Sequence, residues 1–177
     1  MNLLIREIRH NPLLWLLAFV PAVFAAALVP LGLMAHGAAT GGLGANPIEA
    51  ITRSTGVWTL RFMLLTLAVT PFRVLSGWND VIRVRRMLGL FSFFYAVVHF
   101  LCYAWLDMGL DLATIVNDIP KRPFALVGFT ALLLMLPLAA TSFNRAIKAL
   151  GAARWQMLHR LVYAIVLLGL LHFFWMR

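Results

Sequence analysis

Arg154-Trp-Gln-Met-Leu-His159-Arg160-Leu-Val-Tyr-Ala-Ile-Val-Leu-Leu-Gly-Leu-Leu-His172-Phe-Phe-Trp-Met-Arg177 is an apolar run of membrane-spanning length interrupted by two histidines. They stand thirteen residues apart, which is roughly 20 Å along a helix axis. The hydrocarbon core of a bilayer is about 30 Å thick, so each histidine falls near one of its faces. Ionisable side chains at such depth are costly and usually face a functional interior. This pair suggests two stations at different heights in one membrane.

Composition points the same way. With 63% hydrophobic and 12% charged residues and a mean hydropathy of +0.90, the chain lies outside soluble usage and reads as an all-α, polytopic membrane bundle. The single Cys102 excludes an internal disulfide and reads as a small buried hydrophobe. Lys and Arg number 15 against six Asp and Glu. They cluster in short segments between apolar runs, so membrane topology explains them better than nucleic-acid binding does.

Working outward, the chain reads as a single transmembrane domain over 1–177 with five spans, at about 12–34, 56–72, 87–106, 124–142 and 155–175. The first run is too long for a signal-peptide core and lacks a small-residue cleavage site, so it is expected to be retained. Pro21 and Pro30 should kink it without ending it. The Gly-, Ala-, Thr- and Asn-rich stretch 36–55 is expected to be a loop, and 76–86 and 107–123 polar connectors. With the N-terminus in the cytoplasm, the inner segments carry ten of the fifteen basic residues and the outer side four of the six acids, which fixes the orientation. An odd count sends the C-terminus to the opposite face, which leaves a sixth span either missing from this chain or absent from the protein. Trp15, Trp58, Trp105, Trp155 and Trp175 fall near span ends, where aromatic belts form.

The third and fifth spans run the same way, so depths compare directly. His99 lies roughly 18 Å from the inner end of its span, His159 roughly 6 Å and His172 roughly 25 Å. His99 therefore pairs in height with His172. Neutral imidazole is a natural axial ligand of haem iron, and two from facing helices can hold a porphyrin between them. The expectation is an outer b-type haem on His99 and His172, and a second, inner haem on His159. Fourteen residues either side of His99 stand Arg85 and Ala113, so no histidine on the third span can mirror His159. Ala96 and Gly169, one turn below His99 and His172, would leave room for a flat group. Arg61 and Arg160 could pair with haem propionates, although Arg61 can equally snorkel to the interface. Thirteen residues at 100° each leave His159 and His172 about 140° from a shared face on a straight helix, so a bend, a bulge or different flanks must make up the difference.

An isolated intramembrane histidine often does no more than bond a neighbouring carbonyl, but three on two spans at related depths lower that prior. His10 and His36 lie in flanking segments and receive no role. No Gly-rich phosphate loop, carboxylate pair or nucleophile–base set is present, so hydrolytic chemistry has no support. The rival class is a small transporter or channel subunit using the histidines as a proton relay.

Several strings resemble one family: Arg85-Arg86-Met-Leu-Gly-Leu…Tyr95-Ala-Val-Val-His99, Asp118-Ile-Pro-Lys121-Arg122-Pro123-Phe-Ala-Leu-Val-Gly128-Phe, Trp155-Gln-Met-Leu-His159-Arg160-Leu-Val-Tyr163 and Thr66-Leu-Ala-Val-Thr70-Pro71. Together they are similar to MsrQ, formerly YedZ, the haem-binding membrane subunit of the periplasmic protein-methionine-sulfoxide reductase system, which itself resembles the ferric reductase transmembrane domain. The match runs over about 56–175. It implies a bacterial inner-membrane subunit carrying one or two b haems on His99, His159 and His172, with FMN and quinone as further candidate cofactors. Electrons would pass from a cytoplasmic flavin reductase or the quinone pool to the periplasmic molybdopterin subunit MsrP. Such a subunit transfers electrons and is not the catalytic subunit.

Overall fold

A computed structural model describes residues 15–176, which form helices joined by short turns, with no strand among them. Arg6, Arg9, His10 and Arg177, like the opening of the expected first span, lie outside the described residues. The helices are α1 (Val20–Thr40), α2 (Pro47–Ser76), α3 (Ile82–Leu101), α4 (Leu112–Asp118), α5 (Pro123–Ala140), α6 (Asn144–Leu150), α7 (Ala152–His159) and α8 (Leu161–Trp175). A π-helical turn, Cys102–Asp107, extends α3. Among the described residues, five stretches are long and apolar enough to cross a membrane: Leu17–Thr40, Pro47–Ser76, Asn79–Asp107, Pro123–Ala140 and Ala152–Trp175. Helices satisfy their own backbone hydrogen bonds, which lipid cannot do, and the chain is a multi-pass membrane protein.

The main departure from the sequence reading lies in 36–55, expected to be a loop. α1 continues to Thr40 and stops at Gly41, whose φ of 72° closes the helix with a bond to the Gly37 carbonyl; a left-handed stop of this kind suits glycine. α2 then starts at Pro47, nine residues before the expected second span. Asn46 explains the early start, because its side chain accepts the Glu49 amide at 3.3 Å and donates to the Glu49 carboxylate at 3.2 Å. Pro47 occupies the first helical position, where no amide is needed. This local capping outweighs the low apolarity of the segment, and it adds to α2 the turns that carry Thr52 and Thr55.

Two of the three buried clusters join the long helices to one another. In one, Tyr95 is fully buried, stacks on Phe62 at 5.3 Å between ring centres and donates its hydroxyl to the Ala27 carbonyl at 2.9 Å, tying α1 to α3. In the other, Met63, Ala96, Ala131, Met135, Ile165 and Val166 join α2, α3, α5 and α8. α2 and α3 are antiparallel and share polar rungs. Ser92 donates to the Thr59 carbonyl at 3.0 Å, and seven residues further along both helices His99 meets the Thr52 carbonyl at 2.8 Å. Leu64, Leu133 and Leu167 point away from these cores and are exposed, as lipid-facing positions should be.

The connector 107–123 is itself ordered. Asp111 caps α4 by accepting from the Thr114 hydroxyl at 2.7 Å and the amides of Ala113 and Thr114 at 3.0 and 3.3 Å. These donors, the Thr114 hydroxyl first, hold its carboxyl below the usual range. Asp118 accepts the Tyr103 hydroxyl at 2.8 Å and pairs with Arg122 at 2.9 Å, clamping the connector to the end of the third span.

Candidate functional site

α3 and α8 bring His99 and His172 together, with ring centres 6.0 Å apart and planes at 78°. Each ring is held from behind by another helix. His99 Nδ1 lies 2.8 Å from the Thr52 carbonyl and 3.3 Å from the Thr55 hydroxyl on α2. His172 Nδ1 lies 2.7 Å from the Phe124 carbonyl at the start of α5. A carbonyl oxygen only accepts, so Nδ1 carries the hydrogen in both rings and Nε2 keeps its lone pair. That is the tautomer of a metal-ligating histidine whose second nitrogen is anchored.

These residues fit a haem. Two metal–imidazole bonds of about 2.0 Å, added to the half-widths of two rings, span roughly 6 Å between ring centres, the separation found. Among the described residues no three His, Cys, Asp or Glu side chains converge. A bare ion would lack ligands there, whereas a haem would bring its own ring ligands and could be held by the His99 and His172 imidazoles alone. Glycines stand beside both rings. A Cβ on Gly56 would come within 3.0 Å of His99, and one on Gly128 within 2.8 Å of His172.

His159, at the other end of the bundle, is held differently. Its Nε2 lies 3.0 Å from Thr141 Oγ1, and its ring stacks on Trp155 at 3.9 Å. Thr141 Oγ1 donates its own hydrogen to the Pro137 carbonyl at 2.6 Å, so toward His159 it accepts, and Nε2 carries the hydrogen. Trp155 also donates its indole N–H to the Thr141 carbonyl at 2.9 Å; this span-end aromatic locks α7 to the end of α5 in addition to any belt role. Between the two histidines of the last span, Arg160 separates α7 from α8, and its amide reaches both Gln156 and Met157 carbonyls at 3.1 and 3.2 Å. A tightened turn of this kind winds further per residue than a regular α-helix.

The other candidate residues divide. Ala96 is buried in the central core, and a Cβ on Gly169 would meet no neighbouring helix nearer than Leu60 at 3.8 Å. Arg61 is exposed with its guanidinium 4.6 Å above the Trp58 ring, and Arg160 is exposed. The sequence reading missed Thr52, Thr55 and Gly56 on α2, Gly128 on α5 and Thr141 just past the end of α5. The Gly–imidazole contacts are long-range and leave no periodic trace.

A multi-helix membrane bundle with paired histidines on its third and fifth spans defines the class, and residues 55–170 match the family described as the ferric reductase like transmembrane component. Within that class the relatives are specific. A protein of Polaromonas naphthalenivorans is 59% identical over 165 residues, 92% of this chain and 75% of its own length. One of Herminiimonas arsenicoxydans is 56% identical over 155 residues, 88% and 71% of the two chains, and one of Ralstonia nicotianae 56% over 161 residues, 91% and 70%. Each is named protein-methionine-sulfoxide reductase heme-binding subunit MsrQ. The chain belongs to the MsrQ family. No solved structure matches it.

Proposed function

We propose that this chain is a transmembrane electron carrier that holds b-type haem between His99 and His172 and serves a methionine-sulfoxide reductase. It transfers electrons and leaves reduction of the sulfoxide to a partner. The donor in this reading is a cytoplasmic flavin reductase or the quinone pool. The acceptor is the periplasmic molybdopterin subunit MsrP, which repairs oxidised proteins. The observation that carries the proposal is the matched imidazole pair, 6.0 Å between centres, each with Nδ1 anchored on a helix carbonyl. Names of the relatives support it.

Haem would supply the one-electron couple. The protein's residues do the rest: the Thr52 and Phe124 carbonyls orient the rings, and the apolar helices exclude water, which tunes a haem's potential. In this reading the protein sits in the bacterial inner membrane with its N-terminus in the cytoplasm. The His99 end then faces the periplasm beside the clamped connector 107–123, the proposed docking surface. At the His159 end Arg83, Arg85, Arg86, Arg145, Lys148 and Arg154 suit an FMN phosphate, while quinone can approach from the lipid. A second haem there would use His159 Nδ1, or Nε2 after release from Thr141. Arg61 and Arg160 are exposed cations able to fold onto propionates.

A proton relay fits less well, because the nearest Nδ1 partner of each ring in the pair is a carbonyl, which accepts a hydrogen bond but cannot pass a proton on. Purified after expression with ample haem, the protein should show a sharp, reducible Soret band and split low-spin bands. His99→Ala and His172→Ala should each remove the signal of the haem held by that pair. A colourless wild type, or unchanged spectra in both variants, would sink the proposal.

A further inference from the structure

The two histidines rest on one repeated device that lies on neither of their own helices. On α2, His99 bonds the carbonyl of Thr52 and presses on Gly56; on α5, His172 bonds the carbonyl of Phe124 and presses on Gly128. In each case the glycine stands four residues after the carbonyl. That carbonyl already accepts the glycine's own amide within the helix, and its second lone pair takes the imidazole. The ring reaches that lone pair by occupying the space a side chain four residues on would need. A Cβ on Gly128 would meet Nδ1, Cε1 and Cγ of His172 at 2.8, 2.9 and 3.3 Å, and one on Gly56 would meet Cε1, Nδ1 and Nε2 of His99 at 3.0, 3.2 and 3.5 Å. These rings are rigid and tethered, so the clash cannot be relieved by a flexible side-chain tip. Gly32, in α1, and Gly169, in α8, have no such neighbour within 3.4 Å.

We propose that Gly56 and Gly128 are positioning residues that act through the histidines: they admit each imidazole to a helix carbonyl, and so fix Nδ1–H and present Nε2 as the ligating nitrogen. The proposal rests on the haem reading for its consequence, but its geometry does not depend on haem. Donation from Nδ1 makes a ligating imidazole more basic and stabilises the oxidised iron. Losing it should raise the midpoint potential and loosen the haem. The closer contact at Gly128 makes that position the more sensitive.

The test compares Gly128→Ala, Gly56→Ala and Gly32→Ala in the full chain. In haem-free protein, nitrogen-15 NMR of labelled histidine should show one ring leaving the Nδ1–H tautomer in each of the first two variants and none in the third. In haem-loaded protein, paramagnetic resonance should show altered low-spin g-values. Haem retention should fall about tenfold for Gly128→Ala, and less for Gly56→Ala. Midpoint potentials should rise in the same order, a tenfold change in the reduction equilibrium being about 59 mV for one electron. Wild-type tautomers, g-values and potentials in both variants would overturn the inference. If Gly128→Ala does not accumulate, Gly56→Ala carries the same readouts and decides alone. A wild type with the Nδ1–H tautomers but no bis-imidazole haem would sink the haem reading and leave the glycine device standing.

Discussion

Thr141→Val tests whether the His159 end is a separate station. Among the bonds of Thr141, its hydroxyl donates to Pro137 at 2.6 Å and accepts from His159 at 3.0 Å, and its carbonyl accepts from Trp155 at 2.9 Å. Valine keeps the shape and the carbonyl, so the Trp155 bond survives. The Pro137 carbonyl also keeps a donor, the residue-141 amide at 3.1 Å. What is lost is one interhelical bond, which in membrane proteins averages about 0.6 kcal/mol and reaches about 1.7. A half-buried imidazole N–H without a partner places this case near 1 kcal/mol, a fall of roughly 2–4 °C in melting temperature for a chain of this size. The His99 and His172 pair is about 20 Å away, so its absorption and midpoint potential should not change. Reduction by a water-soluble quinol should slow severalfold. Stopped-flow reduction, followed beside a redox titration, separates the two effects. An unchanged reduction rate would remove His159 from the electron path, and a shifted His99–His172 potential would show that the two ends are not independent.

Asn46→Ala removes the α2 cap and should cost about 1 kcal/mol; because α2 begins just before Thr52 and Thr55, haem should be lost at lower temperature on heating, and an unaltered melting curve would show that the cap does not matter. Asp111 has its carboxyl held low in the folded state by Thr114 and Ala113, so its support for α4 is fully present above the ordinary carboxylate range and lost as pH falls through the lowered value. Hydrogen exchange at the Thr114 amide should accelerate over that acid window, and in Asp111→Asn the dependence should flatten. Tyr103→Phe breaks the bond to Asp118 and should raise exchange across 112–121 while leaving the haem spectrum intact; coupled loss of both would mean that the connector is part of the haem site.

What the sequence made legible was whatever lipid dictates. Apolar runs had to be helices, and depth along them paired His99 with His172, because axial rise is nearly independent of packing. Azimuth was not legible. It depends on the tightened turn at Arg160 and on which neighbour each ring serves. The start of α2 was carried by Asn46, Pro47 and Glu49, local capping signals outweighed in the sequence reading by the polarity of 36–55. The partners of the histidines were hidden for a different reason. Thr52 and Phe124 contribute backbone oxygens, and Gly56 and Gly128 contribute the absence of a side chain, neither of which a search for ligand-type residues can register.

The two ends of the bundle use opposite nitrogens, and this bears on the thirteen-residue spacing. At His172 the Phe124 carbonyl takes Nδ1–H and leaves Nε2, the nitrogen farthest from the ring's own backbone, as the free donor. At His159 the Thr141 hydroxyl, its own hydrogen committed to Pro137, takes Nε2–H and leaves Nδ1, beside Cβ, as the free one. Two identical stations on one helix would need their rings on a shared face, which fourteen residues provide and thirteen do not. Stations that present different nitrogens to different neighbours are free of that requirement. The last span therefore places its two histidines in unlike surroundings, one beside His99 on α3 and one bonded to Thr141 at the end of α5.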